Sequence, residues 1–421
     1  MKNIWLAVAM FYSYAAIGQT DSLRLSLPQA EKFFLQKNLL LLAQKYNINL
    51  AEAAVEQARL WDNPNLQAEL NAFNPTTNKF FPLKNVGGDI NNATGGGYNF
   101  QIQQVVNLAK NRSKLVALNL SNVSLQKVAF DDLMRVLRYQ LAQTFGNLAT
   151  EQRQLQFLNL QRQQLETLLT AYRAQLKLGV VAEYEVTRLE LEQRNSDTDI
   201  QVLLDQISQD QATMRVLLVN NTAYFLPQIN PRVAVLPLIP QLTEQALTNR
   251  TDLKVADQQI DVSRQNLTYQ KSLATPRLTL GADFQRFGST YPFYYGVQAG
   301  IDLPIKNRNQ GNIQAAKIGI DQNTQFQNVV QLQVRQDVVR AYEQLQHAQN
   351  LRQNISDDYL RRVEEANQNA KDSYAKRIID LVSFIDKIRA YKDAQMNLIS
   401  LTNSIFQAQQ QLNFVTNTPL F

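Results

Sequence analysis

The chain has 421 residues, enough for more than one ordinary domain, with 45% hydrophobic and 19% charged residues, one His and no Cys. Those proportions exclude a disordered chain and a helical membrane protein, and the missing Cys excludes disulfide stapling. The formal charge of +6 is dispersed, with Arg135, Arg138 and Arg153 interleaved with Glu151; a nucleic-acid binder clusters its basic residues, so no nucleic-acid partner is expected.

The first predicted element is a signal peptide over residues 1–18. Lys2 precedes an apolar run from Ile4 to Ala16, and Ala16-Ile17-Gly18 supplies small residues for cleavage. Beyond it no stretch approaches the roughly 20 apolar residues of a spanning helix. The mature protein is expected to leave the cytoplasm with no helical anchor, and without Cys it carries no thioether-linked lipid.

A helix follows from Pro28 to Trp61, with apolar Leu41, Ile48 and Val55 at heptad spacing, and Pro64 ends it. Two strands, about 65–73 and 98–106, flank an Asn/Gly-rich loop from Asn74 to Gly97. A very long helix runs from Ser113 to Leu178, and after a turn another runs from Ala182 to Val219. Residues 28–225 thus form one structural repeat, and residues 226–240, with Pro227, Pro231, Pro237 and Pro240, a linker.

Residues 241–418 repeat the pattern. Adding 212 carries Leu41, Ile48, Val55 and Pro64 onto Leu253, Ile260, Leu267 and Pro276. Lys110-Asn111-Arg112 matches Lys306-Asn307-Arg308 at a shift of 196, which gives the first copy about sixteen extra residues, held by its loop. The second copy's strands are expected at about 277–287 and 294–303, and its long helix from Gly311 to Ala375. The fold class is therefore mixed α and β, a tandem helix-strand-strand-long helix-helix repeat.

Each strand alternates one apolar and one polar face, and aromatics crowd the strand ends at Phe73, Phe287, Tyr291, Phe293, Tyr294 and Tyr295. That is the signature of a transmembrane barrel with an interfacial girdle, in contact with outer-membrane lipid. Four strands cannot close a barrel and an open edge in lipid is forbidden, so several chains must combine; three would supply twelve strands. The long helix of about 66 residues spans roughly 100 Å, close to the two shorter helices stacked end to end. Its heptad stripe, Leu148, Leu155, Leu158, Leu165, Leu169, Tyr172 and Leu176, calls for lateral coiled-coil pairing.

These residues resemble the TolC-like outer-membrane efflux family over almost the whole mature chain. Its helix-Asn-Pro-strand junction is matched by Asn63-Pro64-Asn65-Leu66, and its periplasmic turn by Leu178-Gly179-Val180-Val181-Ala182 with Glu185-Val186-Thr187-Arg188. The second turn departs from the pattern: Tyr374-Ala375-Lys376-Arg377-Ile378-Ile379 lacks the usual glycine, while Phe384 to Arg389 resembles the family's segment after it. The resemblance implies a homotrimer with a twelve-stranded barrel in the outer membrane of a Gram-negative-type cell and a periplasmic helical tunnel. It implies a passive exit duct for small molecules or metal ions, with a periplasmic adaptor and an inner-membrane pump as partners. It also leans toward the branch paired with proton-driven heavy-metal or drug pumps. The competing reading is a periplasmic helical scaffold or adaptor with no pore.

No enzyme, cofactor or resident metal is expected. No nucleotide-binding loop occurs, His347 stands alone on a helix, and Asp131-Asp132 and Asp357-Asp358 suit solvated helix faces. Two residue sets are candidates for function. The barrel lumen is assigned Gln67, Glu69, Asn71, Gln101, Gln103, Asp283, Gln285 and Asp302, although any non-lipid face needs the same polarity. The periplasmic tip, with gate and adaptor contact, is assigned Gly179, Val180, Val181, Glu183, Glu185, Asp372, Lys376, Arg377 and Asp380. There a threefold axis brings like acids together, with Arg377, Lys376 or Arg173 as their cross-links; solvated turn charges are the simpler alternative.

Overall fold

The computed structural model describes residues 22–75, 78–81, 97–231, 235–287 and 291–421. The expected signal peptide and most of the Asn/Gly-rich loop lie outside the described residues. The elements are β1 (Ser22–Leu25), α1 (Leu27–Lys37), α2 (Leu39–Arg59), β2 (Asn65–Leu70), β3 (Phe73–Asn74), β4 (Lys79–Phe80), β5 (Tyr98–Asn107), α3 (Asn111–Lys177) and α4 (Glu183–Leu218). There follow β6 (Tyr224–Pro227), α5 (Ile239–Asn249), α6 (Thr251–Leu273), β7 (Arg277–Phe287), β8 (Tyr291–Asp302), α7 (Gln310–Gln353), α8 (Asp357–Ala375) and α9 (Leu381–Thr416). The chain forms two compact units.

One unit comprises Gln44–Ala129 and Asp252–Val330. Its sheet has the order β2-β5-β7-β8, antiparallel throughout. Its helices follow the same order, because each joins a strand directly. Gln44 on α2 donates to Gln126 on α3 (3.3 Å), Gln258 on α6 to Ser121 on α3 (3.0 Å), and Asn323 on α7 to Ser263 on α6 (2.8 Å). The row is α2-α3-α6-α7. The heptad residues Val55, Leu253 and Ile260 are buried as the periodicity requires.

The other unit comprises the residues up to Ala43, Phe130–Thr251 and Gln331–Phe421. Its core gathers Phe34, Leu141, Phe145, Leu148, Met214 and Phe225, all at most 1% exposed. A short parallel pair, β1 with β6, closes over this core. The backbone of Phe225 is held from two helices, its carbonyl accepting from Gln152 (2.8 Å) and Gln211 (2.7 Å) and its N–H donating to Gln211 (3.0 Å). The expected linker thus begins inside a strand, with Pro227 opposite Leu25.

Three expected helices differ in detail. The segment 28–61 is broken at Asn38, whose backbone is extended (φ −62°, ψ 122°). Its Oδ1 accepts from the N–H groups of Leu40 and Leu41, and its Nδ2 donates to the Leu217 carbonyl (3.1 Å), so the side chain repairs the break. The same break recurs 212 residues later at Arg250 (φ −61°, ψ 129°), between α5 and α6. The second long helix is not continuous from Gly311 to Ala375. It stops after Gln353, and Ser356 caps α8 by accepting from the Tyr359 N–H (3.1 Å), with Asp357 and Asp358 in the first turn. Ser-Asp-Asp is a helix-start signal, and it divides the expected long helix in two.

Candidate pore face and hairpin tips

The register of the sheet sorts every strand residue onto one of two faces. Leu66, Ile102, Ala282 and Val297 lie in one cross-strand row, and Ala68, Phe100, Phe284 and Tyr295 in the next. Between these, Gln67, Gln101, Asp283 and Gly296 form a row pointing the other way, as do Glu69, Asn99, Gln285 and Tyr294. The apolar rows are not a core: Val297 is 91% exposed, Tyr295 78% and Leu66 71%. Rings of Tyr98, Phe100, Phe284, Phe293 and Tyr295 cluster at the sheet end remote from the helices, at centroid distances of 5.1–6.3 Å.

Seven of the eight residues assigned to the lumen therefore share the polar face: Gln67, Glu69, Gln101, Gln103, Asp283, Gln285 and Asp302. Asn71 lies one residue past β2, its N–H donating to the Gly97 carbonyl (2.9 Å). Sequence reasoning passed over Gly296. A side chain there would collide with the Asp283 carboxylate, which also accepts from Gln285 (2.6 Å), so the glycine makes room for that acid on the polar face. Arg277 pairs with Asp302 (3.1 Å) at the helical end of the same face.

The second candidate is the pair of helix hairpins α3–α4 and α8–α9, both in the other unit. Gly179 has φ 72° and its N–H donates to the Leu176 carbonyl, while Val180 reaches back to Gln175. Arg377 has φ 57°, with the same two bonds, to Tyr374 and from Ile378 to Ser373. This is one turn geometry used twice, 198 residues apart, with Arg377 in the left-handed position that Gly179 fills at lower steric cost. The structure fixes the register between the turns that the missing glycine obscured. The offset recurs at the far helix ends, where Val219 (φ 51°) and Asn417 (φ 49°) are both left-handed caps. At the strand-to-helix junctions the matching residues are Lys110 (φ 54°) and Asn309 (φ 55°), 199 apart, so the Lys-Asn-Arg match at 196 is three residues out of structural register.

The two hairpins pack together through Leu169, Val186, Leu189, Leu381 and Ile385. Tyr172, Tyr374 and Phe384 stack beside them, with Tyr374 and Phe384 4.2 Å apart at 11°. A cavity of about 1040 Å³ opens among these residues, walled by Leu165, Leu168, Tyr172, Tyr374 and Phe384 and edged by Glu192, Arg389 and Lys392. The buried Tyr374 hydroxyl has no hydrogen-bond partner in it.

The tip acids are differently employed. Asp380 caps α9, and hydrogen bonds from Ser383 hold its carboxyl below the usual range. Glu185 accepts from the Ala182 N–H (3.1 Å) at the start of α4, and Asp372 from Gln368 (3.0 Å). Glu183 lies in the first turn of α4, where the helix dipole favours an acid. The expected cross-links run elsewhere: Arg173 pairs with Glu190 across α3–α4 (2.7 Å). The hairpins are instead joined by Arg389 to Glu192, Lys392 to Asp199 (3.0 Å) and Lys371 to Gln164 (3.1 Å). Lys376 and Arg377 lie within the second turn, and Val180 and Val181 follow Gly179 in the first. Among the described residues no group of three or more metal-ligating side chains occurs, and no helix is long and apolar enough to cross a membrane.

A model of the outer membrane efflux protein family matches residues 242–418. The match covers almost all of the second repeat. Solved structures extend the likeness in fold to the first repeat. CusC is 16% identical with a TM-score of 0.71, covering 93% of this chain and 91% of its own. CmeC of Campylobacter jejuni is 12% identical at 0.73, covering 93% and 86%. MtrE of Neisseria gonorrhoeae is 15% identical at 0.70, covering 94% and 89%. CmeC and MtrE are described as outer membrane channels. No curated protein matches the sequence. The resemblance to the outer-membrane efflux family is thereby borne out, over residues 242–418 by the family model and in fold over most of the chain, and that family consists of channels rather than enzymes.

Proposed function

We propose that the chain is one third of an outer-membrane exit duct, with β2, β5, β7 and β8 contributing four of twelve barrel strands. The single observation that carries this reading is the four-stranded sheet with one exposed apolar face, one polar face and two unpaired edges. In water such a face is a liability, and in lipid such edges are forbidden; closure with further copies removes both problems. A scaffold without a pore has no use for this sheet. The polar face, with Glu69, Asp283 and Asp302, then lines a wet lumen that favours cations. The helices continue the duct into the periplasm, and the hairpin tips close it there.

An adaptor bridging to an inner-membrane pump docks on the tip hairpins, where an apolar cavity with an unpaired hydroxyl lies open beside exposed Val180, Lys376 and Arg377. The test is extraction from outer membrane in detergent. The unboiled chain should migrate as a trimer that boiling dissociates, and it should conduct ions in planar bilayers. A monodisperse monomer of the mature chain, soluble without detergent, overturns the reading.

A further inference from the structure

The strand-to-helix junctions gather charge that is scattered in the sequence. In the antiparallel order β2-β5-β7-β8, strands β2 and β7 start, and β5 and β8 end, at the same margin of the sheet, with Asn107, Arg277 and Asp302 in one cross-strand row. The connecting stretches 56–62, 107–114, 271–277 and 302–310 therefore meet along that margin. They hold eight basic residues and three acidic ones, a surplus of five where the whole chain has six.

The three acids leave most of this charge uncancelled. Glu56 takes Arg59 (2.9 Å), Asp302 takes Arg277 (3.1 Å), and Asp62 accepts from the neutral Asn107 (3.3 Å). Lys110, Lys306 and Arg308 are exposed, and with Arg112 they meet no acid among the described residues. Arg112 instead lies over the Trp61 ring, 3.9 Å from its centroid, and donates to the Arg59 carbonyl (3.2 Å).

Apolar side chains stand open among these cations. Ile305 is 70% exposed, Trp61 66% and Leu303 63%, with Leu60 and Leu108 exposed beside them. Apolar groups interleaved with cations fit a membrane interface, where the apolar bodies enter the acyl boundary and the charges stay with the phosphates. The Lys-Asn-Arg runs at 110–112 and 306–308 fall at corresponding junctions, yet three residues out of structural register. The two copies thus keep the charge while shifting its position. That suits a diffuse layer of anionic groups, whereas a ligand held by fixed hydrogen bonds needs one geometry.

We propose that these junctions form a basic collar that gathers anionic phospholipid headgroups at the helical end of the sheet, with Lys110, Arg112, Lys306 and Arg308 meeting the phosphates and Trp61, Leu303 and Ile305 the acyl boundary. The inference rests on the barrel reading, which puts the strands in lipid, and adds the class of lipid that the periplasmic leaflet supplies to this end. Near an anionic surface each Lys or Arg strengthens attraction about fivefold, and salt screens the effect.

Trp5 lies in the expected signal peptide, so Trp61 is the one tryptophan of the mature chain and reports on the collar directly. The mature chain is reconstituted into vesicles of phosphatidylcholine and phosphatidylglycerol, with brominated acyl chains on one lipid or the other at equal mole fraction. Brominated phosphatidylglycerol should quench Trp61 more than brominated phosphatidylcholine, to an extent that reports a local enrichment of about fivefold or more. The preference should fall at high salt and vanish in Lys110→Gln/Arg112→Gln/Lys306→Gln/Arg308→Gln. It should survive Lys32→Gln/Lys37→Gln, which removes two exposed lysines of α1. Comparing two lipids within one variant cancels any change in Trp61 emission that follows from losing Arg112.

Equal quenching by the two lipids in the wild-type chain, or a preference unchanged in the fourfold variant, overturns the inference and leaves the barrel standing. So does loss of the preference on adding excess inorganic phosphate at matched ionic strength, which would mark a site for free phosphate. A wild-type chain that forms no heat-modifiable trimer removes the barrel first and the collar with it. If the fourfold variant fails to accumulate, Lys306→Gln/Arg308→Gln should still weaken the preference, and an unchanged one overturns the collar.

Discussion

At the residue scale, Arg377 is the clearest departure from local rules. A residue with a Cβ in the left-handed region costs roughly 1 kcal/mol more than glycine there. Replacing it with glycine should therefore stabilise the folded chain by about that amount in thermal or denaturant unfolding. Gly179→Ala should cost a similar amount, since its site is spatially open and only the backbone objects. A null result from both would mean that helix ends elsewhere determine the hairpin. Glu151 offers a test in pH. Burial, and then the neighbouring Asp210, push its carboxyl up to about 7, and one carboxylate oxygen is buried without a partner. The folded state therefore holds a proton that the unfolded state has already lost, so stability falls as pH rises from about 4.5 to 7. Glu151→Gln should raise the melting temperature at pH 8 and leave it nearly unchanged at pH 4. Equal effects at both values would contradict the assignment.

At the element scale, the strands and helices differ in how they are stabilised. The helix hairpins bury a continuous apolar cluster, and the exposed ion pairs around it, such as Arg173 with Glu190, add at most about 1 kcal/mol each. The sheet buries little on its apolar face, so the face assignment is tested through lipid. Arg at Leu280 should cost roughly 2–4 kcal/mol near the bilayer midplane, whereas Arg at Thr279, one residue along on the polar face, should be tolerated. Yield of folded, heat-modifiable protein in the outer membrane reads the difference, and equal tolerance would contradict the face assignment. The break at Asn38 follows the same logic of local repair: its side chain replaces the helical bonds that the extended backbone gives up.

At the scale of the whole molecule, the two tip hairpins are joined by links between α4 and α9 rather than through the turn residues. Arg389 to Glu192 and Lys392 to Asp199 join α9 to α4, whereas Glu185 and Asp380 are occupied as helix caps. Arg389→Ala with Lys392→Ala should raise resting conductance in planar bilayers. Neutralising Glu183, Glu185, Asp372 and Asp380 together should weaken block by multivalent cations, since carboxylates about 8 Å apart repel by about 2 kcal/mol at an effective dielectric of 20. Conductance unchanged by the first pair would put the closing contacts elsewhere. Block unchanged by the second set would remove the acids from the gate.

The sequence by itself determined which elements form and how each strand divides into faces. Period-two alternation and heptad spacing are local properties, fixed by the pleat and by 3.6 residues per turn, and they survive in Leu278, Leu280 and Ala282 or in Leu148 and Leu158 without knowledge of any partner. Tertiary structure alone decided the register. Only cross-strand pairing places Gly296 against Asp283, and only backbone hydrogen bonds identify Arg377 as the counterpart of Gly179. Likewise the sequence points to Arg173, Lys376 or Arg377 as cross-links, whereas the links between hairpins come from Arg389 and Lys392. The packing of four helices chooses among them, because a charged side chain reaches only the few ångströms its neighbours leave open.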